Sequence, residues 1–299
     1  MKKMIVLTLL SLVFGVGIAA AQTEEDAAVM EGEMTSKVFQ SQKMTTQVKT
    51  KNIIAKMVLK KVLKKYTEDN PALYNGSYNS TTIYKGKKIR VNATYNNSVT
   101  LTLPEGDKTK SITYFPYIKK GYYQLLDIAA SKQQLEEMRK GEVEKTGETM
   151  EILGRKCNVY KVKYVMKQDT LGTISTTNIH NDYAICEECP ADQEYVPDVK
   201  GAPLKFTLNT VSQTDNEMLN FDLRLSVSTL ATEIKERAVD DSEFEVPSDI
   251  KLIDGNNDPQ KMLKIMTENY EYMKKKDMWI DPKINEDKIY DNLSEDWDY

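Results

Sequence analysis

One histidine, His180, stands in 299 residues, and that scarcity is the first constraint. A Ser/His/Asp triad would have to use it as its base, and no centre built on several histidines exists. Cysteine is nearly as scarce, with Cys157, Cys186 and Cys189 only. No Gly-rich phosphate loop or dinucleotide-binding fingerprint occurs, so no cofactor is implied. Beyond the N-terminus no apolar run approaches the roughly 20 residues of a membrane helix. What remains is ordinary for a chain that buries a core: 40% of residues are hydrophobic and 29% charged.

Residues 1–21 read as a signal peptide. Lys2 and Lys3 precede the apolar run Met4 to Phe14, and Ala19-Ala20-Ala21 makes a small-residue cleavage site before Gln22. No cysteine lies there to carry a lipid. The expectation is a periplasmic or secreted protein released near Ala21-Gln22. Cleavage removes two lysines and takes the formal net charge from −4 to −6. Residues 43–65 hold eight lysines and no acid, whereas residues 277–299 hold eight acids and two lysines. An acidic product with one basic segment is a poor nucleic-acid binder. That segment is open to peripheral contact with a membrane, but it carries no Trp or Phe to anchor it.

The segment from Val29 to Phe39 reads as a first strand. Ile54, Val58 and Val62 recur at helical spacing and predict a helix over about 44–66. A β region follows. Ile89, Val91, Ala93 and Tyr95 alternate with polar residues, as do Val99, Leu101 and Leu103. A short polar helix is predicted over about 127–140, ended by Gly141. Tyr160, Val162, Tyr164 and Met166 alternate with lysines, and a turn at Gln168-Asp169 returns the chain along Thr170 to Ile179. Leu204, Phe206 and Leu208 form another alternating set. Leu219, Phe221, Leu223, Leu225 and Val227 form the clearest one. Such long strands, each with one dry face and joined mostly by short turns, give an α+β, mainly antiparallel fold. The strands describe a strongly curved sheet or open barrel rather than a βαβ fold. Residues 22–253 form this single domain, and 254–299 add a C-terminal helix and an acidic tail. Asp254, Asn256 and Asp258 have the early spacing of a calcium loop but lack its sixth-position Gly and twelfth-position Glu, so a helix-capping turn is expected instead.

Three short motifs carry a family resemblance. Ile152-Leu153-Gly154-Arg155-Lys156-Cys157-Asn158-Val159-Tyr160 turns into a strand, Gly201-Ala202-Pro203-Leu204-Lys205 opens another, and Phe244-Glu245-Val246-Pro247 closes the β region. Their order and spacing resemble an uncharacterised family of bacterial envelope proteins, which is similar to the outer-membrane lipoprotein carrier and receptor fold. The resemblance spans about Val29 to Ile250. It implies an open half-barrel with helices covering or plugging its concave face, and it carries over no catalytic residue.

The alternating sets Leu204, Phe206, Leu208 and Leu219, Phe221, Leu223, Leu225, Val227 are the expected lining of a ligand cavity, with Tyr114 and Phe115 at its rim. For the cysteines an oxidising compartment favours a disulfide, either Cys186–Cys189 or one involving Cys157, with a structural role. The alternative is a Cys₃His zinc set of Cys157, His180, Cys186 and Cys189. The function expected is non-enzymatic binding or carriage of a hydrophobic group, a lipid or acyl chain. The alternative is a structural or interaction protein of the envelope, with an envelope protein as partner and a core filled by its own helices.

Overall fold

The computed structural model describes residues 31–49, 53, 57, 76–127, 136–170, 173–189, 195–215 and 219–278. The expected signal peptide, most of the expected helix at 44–66, part of that at 127–140 and the tail beyond residue 278 lie outside the described residues.

Strand β1 (Glu31–Val48) precedes a meander of β2 (Gly76–Lys85), β3 (Lys88–Ala93), β4 (Ser98–Glu105), β5 (Lys108–Phe115) and β6 (Lys120–Asp127). A second meander holds β7 (Glu142–Ile152), β8 (Arg155–Thr170), β9 (Thr173–Cys186), β10 (Ala202–Asp215) and β11 (Leu219–Glu236). A 3₁₀ turn (Asp241–Phe244), a short strand β12 (Lys251–Asp254) and a C-terminal helix (Pro259–Lys275) follow. All twelve strands form one open sheet, ordered β12-β6-β5-β4-β3-β2-β1-β11-β10-β9-β8-β7. The pairing is antiparallel except for β12 on β6. The two meanders join where β1 pairs with β11, from Gly32 opposite Glu236 to Val48 opposite Leu219.

Local chemistry explains the hairpins. Leu153 and Gly154 both take positive φ (53° and 73°), the requirement of a two-residue turn that matches strand twist. Gly201 serves a different need. Its φ is +113°, and a Cβ there would strike the carbonyl oxygen of Cys186.

Two expectations are corrected. Met44 to Val48 belong to β1 and not to a helix, because they continue the ladder with β11, Met44 lying opposite Leu223. Thr45, Thr46 and Val48 are β-branched, and a waiting partner strand overrides the helical spacing that begins later. Ile53 and Met57 are helical. The turn expected at Gln168-Asp169 is also displaced. Both residues remain paired, and the reversal falls between Thr170 and Thr173.

The core is a chain of clusters along the sheet. Met138, in the helical residues 136–140, packs on Tyr160, Val162, Tyr164 and Ile179. Gly141 N–H donates to the carbonyls of Glu137 and Met138 and ends that helix. At the other end, Met262 and Ile265 of the C-terminal helix pack on Phe115 and Tyr122. Asp258 caps this helix by accepting from Lys261 N–H (3.0 Å), and Asp254 accepts from the N–H groups of Asn256 and Asn257. The acidic spacing noted in the sequence is thus a capping turn. Val99, Leu101, Ile112 and Tyr114 form a further cluster, against which Val246, Ile250 and Leu252 pack.

Candidate functional site

Strand alternation decides what the central sheet presents to one side. Met34, Ser36 and Val38 of β1 point to one face, as do Tyr78, Ser80, Thr82 and Tyr84 of β2 and Ile89 and Val91 of β3. All of them line a cavity of about 290 Å³. Leu204 and Phe206 of β10 and Val227 and Thr229 of β11 complete the wall, with Thr102 of β4 and Tyr195.

A β-bulge sets the composition of this wall. Thr35 lies opposite Glu233 while Ser36 lies opposite Ala231, so Thr232 is an extra residue in β11. Its hydroxyl donates to the Thr35 carbonyl (3.1 Å). The extra residue switches parity, and odd positions Val227 and Thr229 share the cavity with even positions Ile234 and Glu236.

Apolar atoms make up most of the wall, with the hydroxyl-bearing residues Ser36, Ser80, Thr82, Thr102 and Thr229 set among them. Ser36 is 3% exposed, and its Oγ has no hydrogen-bond partner among the described residues. At the rim, Arg155 Nη2 donates to Glu236 Oε1 (3.2 Å), and Arg155 Nη1 lies 3.5 Å from Cys189 Sγ. An apolar wall with a few placed polar groups is the usual make-up of a small-molecule site, though this volume is at the small end of the usual range of about 300–1,000 Å³.

Of the residues expected to line the cavity, Leu204, Phe206 and Val227 do so. Leu208 packs farther along against the cluster of Tyr164 and Ile179, and Leu223 is buried in β11 on the same face as Leu225 and Val227. The side chains of Leu219 and Phe221 lie outside the described residues. Tyr114 and Phe115 are corrected: neither is at the rim. Consecutive strand residues face opposite sides, so the two cannot serve one cavity. Tyr114 packs with Leu101 and Ile112, and Phe115 is covered by the C-terminal helix.

Cys186 and Cys189 form a disulfide with Cα atoms 5.3 Å apart, and Cys157 is a buried free thiol. The alternative zinc set is not assembled. Two of its sulfurs are bonded to each other, and His180 lies six residues before Cys186, ~20 Å away along an extended strand. No group of three metal-ligating side chains occurs among the described residues. Burial pushes the Cys157 thiol pKa up. Glu187, between the bonded cysteines, accepts from Tyr160 Oη (2.6 Å) and Asn158 Nδ2 (2.7 Å). Those hydrogen bonds, Tyr160 first, hold its carboxyl below the ordinary carboxylate range. Burial pushes Tyr183 up, beside Phe206 at 6.4 Å between ring centres.

Sequence reasoning missed the β1–β3 wall and Arg155. The alternation of Ile89 and Val91 was visible, but only long-range pairing assigns those residues to the same cavity as Leu204. No family model, no curated protein and no solved structure matches this chain.

Proposed function

We propose that this chain is an exported, non-enzymatic envelope protein that holds the apolar part of a small amphiphile, such as an acyl chain, in a half-barrel cavity. One observation carries the reading: a largely apolar cavity of about 290 Å³ lined by a buried hydroxyl, Ser36 Oγ, that has no partner among the described residues. An unmet buried polar group is costly, and a ligand oxygen would meet it. The half-barrel shape is supported by spacing. Thr102 of β4 and Phe206 of β10 touch the same cavity although five strand steps separate their strands, ~24 Å in a flat sheet. Helix covering is supported by register. Thr82, Val91, Thr100, Thr113 and Tyr122 are successive partners and share a face, so the C-terminal helix on Tyr122 sits on the cavity side.

Binding of N-phenyl-1-naphthylamine, followed by displacement with saturated fatty acids, tests the reading. Saturable binding that Val91→Trp abolishes, with the circular dichroism spectrum retained, is the expected outcome. Absent binding by the intact chain would overturn it. A second reading, an interaction protein with a self-filled core, is favoured by the covering of the same face by the C-terminal helix and Met138. Native mass spectrometry of the exported chain separates the two, since a retained lipid mass belongs only to the first.

A further inference from the structure

The three sulfurs share one apolar cluster with Ile152, Ala184 and Leu204. The β8–β9 ladder runs as far as Asn158 opposite Ile185. Continued by one step, that register would bring Cys157 opposite Cys186 on one face, where directly opposed side chains stand about 4.5–5.5 Å apart at Cβ, and both residues belong to the same buried cluster. Cys157 and Cys186 are both shut from solvent, at 0% and 2% exposure. Cys189, the far sulfur of the disulfide, stands on the cavity wall with Arg155 Nη1 beside it. A thiol, a disulfide and a cation beside one of its sulfurs thus share one cluster, the set of groups that displacement at sulfur requires. Glu187 is already committed to Tyr160 and Asn158, and Arg155 is the cation that reaches the far sulfur.

We propose that the cluster is an internal thiol–disulfide exchange site, in which Cys157 takes over Cys186 and releases Cys189 as a thiolate on the cavity wall beside Arg155. When the cluster opens to water, the Cys157 thiol leaves the Arg155 carbonyl and gives its proton to hydroxide, and its sulfur attacks Cys186 Sγ. The Cys157–Cys186 bond forms as the Cys186–Cys189 bond breaks. The electron pair leaves on Cys189 Sγ, where the guanidinium balances it. One thiol and one disulfide exist before and after, so no oxidant or reductant is consumed. The displaced thiolate is a nucleophile toward a small disulfide or an alkylating electrophile that enters the cavity. The inference does not depend on the lipid reading, because the sulfur geometry stands whatever fills the cavity.

The resting pair is Cys186–Cys189, and burial raises the Cys157 thiol pKa, so exchange quickens as pH rises. The charged groups beside the sulfurs are Arg155, Glu236 paired with it, and Glu187 and Glu188 between the bonded cysteines, and Cys157 S–H donates to the Arg155 carbonyl.

The test is disulfide mapping of the whole chain, purified without reductant. It is alkylated with iodoacetamide at pH 7 and pH 9, then digested with pepsin in acid and read by mass spectrometry. The expected products are alkylated Cys189 and a Cys157–Cys186 linked peptide. Their formation should be at least about tenfold faster at pH 9, since thiolate is the attacking species, and independent of chain concentration. Alkylated Cys157 with Cys186–Cys189 intact at both pH values overturns the proposal. So does a Cys157–Cys189 link, which places the attack on the other sulfur. Cys157→Ser should abolish labelling of Cys189, and labelling that persists would show another route. Arg155→Gln should slow it by about tenfold, through a poorer leaving thiolate. An unchanged rate would remove Arg155 from the site.

Discussion

Ser36 and Leu101 are both shut away from solvent, yet substitution should move them in different directions. Leu101 is 0% exposed and packs with Ile112 and Tyr114. Leu101→Ala should cost about 2–5 kcal/mol through lost burial and the cavity left behind, seen as a lower urea midpoint with an unchanged slope. Ser36→Ala removes an unpartnered hydroxyl, so the melting temperature should hold or rise while affinity for an oxygen-bearing ligand falls. A drop of several degrees would show that the hydroxyl serves the fold. Tyr122 gives a pH signature. Burial pushes its phenol from 10.0 to about 12, so folding favours the protonated form. The stability it contributes is whole below pH 10 and is lost as pH rises toward 12. Tyr122→Phe should flatten part of that alkaline loss in denaturant titrations at pH 9 and 11.

At the level of elements, the bulge and the cap are the informative features. Deleting Thr232 would restore uninterrupted β1–β11 pairing and turn Ile234 and Glu236 to the opposite face. The expected result is a folded protein with weaker dye binding. Asp258→Ala removes the cap that receives Lys261 N–H and should cost about 1 kcal/mol, read in thermal unfolding. Asp258 with Pro259 was legible in the sequence, because a cap is a local event. The alternation from Leu223 to Val227 was legible for the same reason. The fate of Met44 to Val48 was not, since a distant strand decides it. Nor was the separation of Tyr114 from Phe115 drawn from their aromatic cluster, although strand period alone requires it.

For the whole molecule, the segment after β11 is tied back to the first meander by charge. Arg237 pairs with Glu243 (2.7 Å) and Glu33 (3.2 Å), and Lys85 and Lys88 both reach Asp241. Glu243 and Asp241 are held below the ordinary carboxylate range, chiefly by hydrogen bonds from Arg237 and Lys88 respectively. Their contribution is present above the unfolded-state values and is lost as pH falls through the lowered ones. Asp241→Asn should therefore narrow the gap in melting temperature between pH 7 and pH 3. Truncation after Lys276 should leave the melting temperature within a few degrees, because exposed charges are screened over about 8 Å. The predominance of antiparallel strands was readable from alternation and short turns, but the joining of β1 to β11 was not, because nothing in either strand names its partner. That seam has a consequence in time. As the chain is synthesised, β1 emerges before β2 to β10, and its partner β11 comes after all of them. Each meander can zip from its own hairpins, whereas the seam must close the longest loop in the sheet. Until then β1 shows a bare hydrogen-bonding edge, the state that other chains and strand-binding chaperones capture. The cavity draws its walls from both sides of the seam, so it cannot come into being until the seam has closed.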